Sequence, residues 1–216
     1  MTVLRLSRTH HPVTVLGHGT RAGIWVQGCT IGCDGCISRD TWPADGGSAV
    51  TVAALVGWLD GLPGPLDGLT VSGGEPFQQP AALAALLGAV RTWARDRPGR
   101  FDLLVYSGYA WSRLSHDPAA APALACCDAV VAGPYVRRRA TALPLRGSAN
   151  QRVVALTDLG ADRYGALDPQ PRPAMQVAVE GDRLYCIGIP RPGDMDRMAA
   201  RLASAGISFE GLTWRP

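Results

Sequence analysis

Apolar positions along the chain gather into short runs separated by longer amphipathic stretches. Leu69-Thr70-Val71 reads as a buried strand running into Ser72-Gly73-Gly74-Glu75-Pro76. Asp102-Leu103-Leu104-Val105-Tyr106 reads as a second, ending in Ser107-Gly108-Tyr109. Asp128-Ala129-Val130-Val131 is a third, ending in Gly133-Pro134. Apolar runs this short, closed by Gly and Pro, suit strands buried on both faces. A shorter strand is predicted at Val13 to Leu16, and Gly23 to Val26 reads as a second apolar approach to the cysteine-rich stretch that follows it.

The longer stretches predict helices. Ser48 is positioned to cap one running to about Asp60, with Val52, Leu55, Val56 and Leu59 on one face. Gly61 to Asp67 is a Pro/Gly turn. An Ala/Leu-rich helix is expected from about Gln79 to Asp96, and a further helical stretch around Pro118 to Ala125. Strands alternating with helices imply right-handed βαβ crossovers and a parallel sheet. In such sheets the loops at the strand C-termini build the site.

The last part of the chain reads differently. Met175 to Val179 and Leu184 to Ile187 flank Glu180-Gly181-Asp182-Arg183, a hairpin signal. Pro192 to Ala205 predicts a helix stopped by Gly206, and Ile207 to Leu212 a final strand. The pattern predicts one α/β domain over residues 1–216, with a core at about 12–152 and a small hairpin-and-helix appendage at about 153–216.

Composition narrows the function. With 216 residues, 47% of them hydrophobic, the chain can bury one sizeable core. The net charge is +3, and every basic side chain is arginine. Only Arg137-Arg138-Arg139 cluster, which reads as a solvated loop, so no nucleic-acid partner is expected. Without lysine, no lysine Schiff base can form. Met1 to Leu16 carries no secretory signal, and no apolar run reaches the ~18 residues of a membrane helix, so a cytoplasmic protein is expected.

Three of the six cysteines fall together in Cys29-Thr30-Ile31-Gly32-Cys33-Asp34-Gly35-Cys36. In a chain with an ample core such a cluster reads as metal binding rather than disulfides. Three thiolates can hold three corners of a cubane iron–sulfur cluster and leave one iron open for chemistry. The alternatives are three unrelated thiols, or zinc with His10, His11 or His18 as fourth ligand, although zinc fingers commonly pair cysteines as C-x2-C. Cys126, Cys127 and Cys186 read as packed thiols.

The C-x3-C-x2-C spacing resembles the signature of the radical S-adenosylmethionine (SAM) superfamily, and Gly73-Gly74-Glu75 resembles its GGE motif. Within that superfamily the chain is similar to the activating proteins of anaerobic ribonucleotide reductase. The run Gly28 to Trp42, GCTIGCDGCISRDTW, carries the likeness, as do Tyr106-Ser107-Gly108-Tyr109, Asp128 to Tyr135, and Arg146-Gly147-Ser148-Ala149-Asn150-Gln151. It departs at Ile37-Ser38, where that family usually has Tyr-Asn, and at Ala132, where it has Asp.

The resemblance implies an incomplete (β/α) barrel with a [4Fe-4S] cluster on Cys29, Cys33 and Cys36. It implies that Gly73, Gly74 and Glu75 hold the methionyl ammonium of SAM, with Ser107 as a further ligand contact. The implied reaction cleaves SAM reductively to a 5′-deoxyadenosyl radical, which takes hydrogen from a glycine of a partner glycyl-radical enzyme. A flavodoxin- or ferredoxin-type protein would donate the electron. The competing readings are radical modification of a peptide or small molecule in a specialised pathway, and a non-catalytic iron–sulfur or zinc binding module.

Overall fold

A computed structural model describes residues 2–167 and 175–214. The chain opens with an antiparallel pair, β1 (Val3–Val13) and β2 (Arg21–Val26). β3 (Ser48–Thr51) lies antiparallel on the other side of β1 and leads directly into α1 (Val52–Asp60). Next come β4 (Gly68–Gly73), α2 (Pro80–Arg95) and β5 (Asp102–Ser107). Two single-turn helices follow, α3 (Trp111–Leu114) and α4 (Ala121–Leu124), then β6 (Ala129–Ala132), β7 (Arg152–Ala155) and α5 (Asp158–Tyr164). A separate hairpin, β8 (Met175–Glu180) and β9 (Arg183–Gly188), precedes α6 (Asp194–Ser204).

The main sheet has seven strands in the order β3-β1-β2-β4-β5-β6-β7. Its middle, β2-β4-β5-β6, is parallel as expected. Its flanks are antiparallel, so the sheet is mixed and ends at β3 and β7.

Several expectations need correction. The strand expected at Val13 to Leu16 is instead the much longer β1, which ends at Val13. Its sequence, VLRLSRTHHPV, hides it, because after Leu4 and Leu6 the alternation is carried by polar residues. Ser48 does not cap a helix: Ser48–Thr51 pairs with Val3 to Leu6, and β-branched Val50 and Thr51 suit a strand. Thr51 is the true cap, its hydroxyl accepting from the Ala54 amide at 3.2 Å. No strand forms at Ile207 to Leu212. The last sheet strand, β7, and α5, capped by Thr157 on the Gly160 amide, went unpredicted.

The two faces of the sheet hold different cores, as the two-residue period of a strand requires. Ile24, Val26, Leu69, Val71, Leu103 and Val105 pack against Leu55 and Leu59 of α1 and against Leu83, Leu86, Leu87 and Val90 of α2. Each such side chain, fully buried, contributes about 1.5–3 kcal/mol. On the opposite face, Leu104, Ala129 and Val131 meet Tyr164 of α5. Val13, Leu16 and Trp25 meet Ile187 of β9, with Tyr185 and Ile189 beside it. The hairpin is therefore packed onto the sheet and joins its core.

At the N-terminal ends of the parallel strands Arg21 and Asp102 are both completely buried. Their bonds are bidentate, at 2.9 Å and 2.8 Å. Arg21 also donates to Thr70 Oγ1 at 2.6 Å, and the Tyr164 hydroxyl donates to Asp102 at 2.8 Å. Burial pushes the Asp102 carboxyl up, but the bonds from Arg21, Arg163 and Tyr164 outweigh it and hold the group below its ordinary value.

Candidate metal centre and ligand cavity

The cysteine loop leaves the C-terminal end of β2 and returns alongside it. The Gly28 amide donates to Thr41 O at 2.8 Å, and the Cys29 amide to Trp42 O at 3.0 Å. The side chain of Gln27 closes the neck, its Nε2 donating to Asp40 O at 3.0 Å and Pro43 O at 2.8 Å. Gln78 ties the loop to the rest of the site. Its amide donates to Thr30 Oγ1 at 2.7 Å and to the Tyr109 hydroxyl at 3.0 Å. Gln79 donates to Gln27 O at 3.1 Å. These three glutamines were missed in the sequence; the only signal was the polar pair Gln78-Gln79 lodged between Gly-Gly-Glu-Pro-Phe and an Ala/Leu helix.

Cys29, Cys33 and Cys36 are free thiols, each partly buried. Backbone amides are directed at the sulfurs: Ile31 and Gly32 at Cys29, Tyr135 at Cys33, and Ser38 at Cys36 Sγ at 3.4 Å. Burial raises the Cys29 and Cys33 thiols above their ordinary value, the amides pull them back, and the proximity of the cysteines to one another raises them further. Positive metal charge relieves that repulsion, because the thiolate is the ligand form.

The donor set fits a cluster. Zinc requires its donors at about 2–2.3 Å from one point. Among the described residues no three His, Cys, Asp or Glu side chains form a group that could hold a single metal ion. An iron–sulfur cluster takes each thiolate on a different iron, with hydrogen bonds to the sulfurs tuning its potential. Of the histidines offered as a fourth ligand, His10 faces Glu180 at 3.2 Å. Cys127 is buried, its thiol directed at Ala123 O, as expected of a packed thiol. Cys186, half-buried on β9, packs its thiol against Met198 Sδ of α6 at 3.9 Å and also borders the cavity described below.

The Gly-Gly-Glu turn meets the cysteine loop backbone to backbone. A Cβ on Gly73, where φ is +101°, would lie 2.5 Å from Val26 O, and one on Gly74 would lie 2.3 Å from Gly28 O. The glycines are thus demanded by the approach of β4 to the end of β2. The Glu75 amide donates to Gly28 O at 2.9 Å.

Glu75 itself is 0% exposed. Its carboxylate accepts from the Phe77 amide at 3.0 Å, the Ser107 hydroxyl at 2.8 Å and the Gly108 amide at 2.7 Å. Burial raises its carboxyl above the ordinary value, and these donors partly hold it down. Ser107 has both roles of its hydroxyl filled, donating to Glu75 and accepting from the Tyr109 amide at 3.0 Å. Both side chains brace the tips of β4 and β5 against each other.

All the expected site residues border one cavity of about 1190 Å³, which receives Cys29, Cys33, Cys36, Gly73, Gly74, Glu75 and Ser107. Its far wall comes from the C-terminal segment, which includes Asp182 to Gly193 and Trp214. Thr213 Oγ1 donates to Ile37 O at 3.0 Å, next to the third cysteine.

A family described as a 4Fe-4S single cluster domain matches residues 15–154. The anaerobic ribonucleoside-triphosphate reductase-activating protein of Pasteurella multocida is 31% identical over 153 residues, covering 68% of this chain and 96% of its own. That of Haemophilus influenzae is 32% identical over 147 residues, covering 66% and 92%. The protein of the same name from Enterobacteria phage T4 is 30% identical, covering 67% and 89%. The chain belongs to this family of reductase-activating proteins. The family match contains the three clustered cysteines and the Gly-Gly-Glu turn, and it ends before the hairpin that walls the cavity. Among the described residues no helix is long and apolar enough to cross a membrane.

Proposed function

We propose that this chain is a radical SAM activating enzyme that generates a radical on a glycine of a partner protein. The observation that carries the reading is the meeting of the three cysteines and the Gly-Gly-Glu turn on one cavity at the C-terminal ends of β2 and β4. Cys29, Cys33 and Cys36 would hold three irons of a [4Fe-4S] cluster. The parallel strands β2, β4, β5 and β6 would form part of an incomplete (β/α) barrel of the radical SAM type.

With cluster and SAM bound, one-electron reduction of the SAM sulfonium supplies the hydrogen-abstracting chemistry, with methionine and 5′-deoxyadenosine as products. The chain's own residues bind and position. Gly73 and Gly74 present main-chain groups at the cavity edge, where carbonyl oxygens can accept from the methionyl ammonium. Glu75 acts through its brace to Ser107 and Gly108, which fixes the distance between two strand tips. Gln78 sets the cysteine loop against Tyr109. The partner is read as a glycyl-radical enzyme of the reductase class, by likeness to proteins named as activating an anaerobic ribonucleoside-triphosphate reductase, and the electron donor as a flavodoxin- or ferredoxin-type protein.

The test is anaerobic reconstitution with iron and sulfide, followed by dithionite and SAM. The reading requires 5′-deoxyadenosine and methionine in equal amounts. An iron-loaded protein that binds SAM and forms no 5′-deoxyadenosine overturns the enzyme. Zinc without iron in protein purified anaerobically overturns the cluster.

A further inference from the structure

The hairpin wall of the cavity has an unusual orientation. β8 and β9 form a sheet of two strands, so each has one edge without a strand partner among the described residues. Only Glu180 of β8 borders the cavity, whereas every residue of β9 from Arg183 to Gly188 does. Side chains of successive strand residues point to opposite faces. A strand whose consecutive residues all border one space therefore meets that space with its edge. β8 stands behind it.

No backbone hydrogen bond joins β9 to any element other than β8 among the described residues. The strand is nevertheless held in place. Ile187 packs with Trp25, Leu16 and Val13. Gln176 of β8 anchors the hairpin, donating to Pro12 O at 2.7 Å and accepting from the Thr14 amide at 2.8 Å. Unpaired amides and carbonyls on a fixed edge are a template for another strand.

The cavity also has room. Pockets for drug-sized ligands measure roughly 300–1,000 Å³, and this cavity measures about 1190 Å³.

We propose that the cavity-facing edge of β9 binds the substrate as an added strand: an extended segment of a partner polypeptide, laid across the cavity in front of the cysteine loop. This rests on the activating-enzyme reading and names how its substrate is held. Recognition is by main chain, so it tolerates sequence, and an extended segment can bring a glycine Cα–H up to the site without side-chain obstruction. β9, with six residues, spans roughly 20 Å at ~3.3 Å per residue, enough to fix a segment of that length.

The probe is the capped heptapeptide acetyl-Thr-Val-Thr-Gly-Thr-Val-Thr-amide, compared with its analogue N-methylated at all seven residues, which has no main-chain N–H left to donate from either edge. Amide hydrogen exchange of the full-length protein is followed with each at 1 mM, with and without the reconstituted cluster. The proposal requires slowed exchange at Arg183 to Gly188 with the parent peptide, and at least tenfold weaker binding of the analogue. It is overturned by unchanged exchange in β9, by equal binding of the two peptides, or by protection confined to the outer edge of β8, where Val177 and Val179 are exposed. Protection of β9 with no SAM cleavage sinks the radical reading alone. SAM cleavage with no protection sinks the strand addition alone.

Discussion

The hydroxyl of Ser107 donates to the carboxylate of Glu75 at 2.8 Å, across the tips of two neighbouring parallel strands. The neighbouring Gly108 amide donates to the other carboxylate oxygen at 2.7 Å. The acid of the Gly-Gly-Glu turn is thus spent on holding β5 against β4.

Glu75→Gln should therefore act through geometry. It keeps the volume but turns one acceptor into a donor facing buried donors, a loss of about 1–3 kcal/mol. SAM cleavage should fall at least tenfold while iron content after reconstitution stays within a factor of two of the parent. Ser107→Ala, which leaves the Gly108 bond in place, should lose less. Equal cleavage in the parent and Glu75→Gln would show that the brace is dispensable.

Gly74→Ala tests the contact between the turn and the cysteine loop. The added methyl would lie 2.3 Å from Gly28 O, a backbone atom that cannot swing aside. Displacement of the loop should lower iron retention on gel filtration several-fold. Gly88→Ala, on α2 where a Cβ meets nothing within 4 Å, is the control and should be neutral or slightly stabilising. Matching iron contents in the two variants would refute the close approach.

The cysteines separate cleanly. Replacing Cys29, Cys33 or Cys36 by Ala should abolish the visible absorption of a reconstituted cluster and all SAM cleavage. Cys126→Ala should leave both unchanged. Full activity in Cys33→Ala would remove the basis of the proposed site.

Two buried carboxyls are displaced from their ordinary values in opposite directions. Asp102 lies below its ordinary value of 3.8, so between its folded and unfolded values the unfolded chain binds more protons. Its contribution to stability is present above about pH 4 and lost as pH falls through the folded value. Glu75 lies above 4.5, so it lowers stability as pH rises from 4.5 through its folded value. Carboxyl carbon NMR should find Asp102 ionised and Glu75 protonated at pH 4.2. The reverse order would contradict the assigned environments.

The sequence carried the middle of the fold well. Apolar runs at Leu69–Val71, Leu103–Val105 and Ala129–Val131 announced β4, β5 and β6 because those strands are buried on both faces. It failed where strands lie at the flanks. β1 alternates Arg, Ser, Thr and His with few apolar partners, and Ser48–Thr51 carries a helix-cap residue that tertiary pairing overrides. At the site, cysteine spacing and the Gly-Gly-Glu turn were legible because covalent geometry and close backbone approach demand those residue types. The supports were not. Gln27, Gln78 and Gln79 act through single long-range bonds that leave no periodic trace. Nor could any pattern show that β9 would wall the cavity that the cysteines border.

The Arg21–Asp102 pair lies at the end of the sheet away from the cavity. It works as a rivet through β2 and β5, with Thr70 of β4 drawn in beside it. A fan fastened at its base can open only at its rim. Strain imposed by an incoming ligand must then be taken up by the glycine-rich turns and the cysteine loop, while the strand bases keep their register.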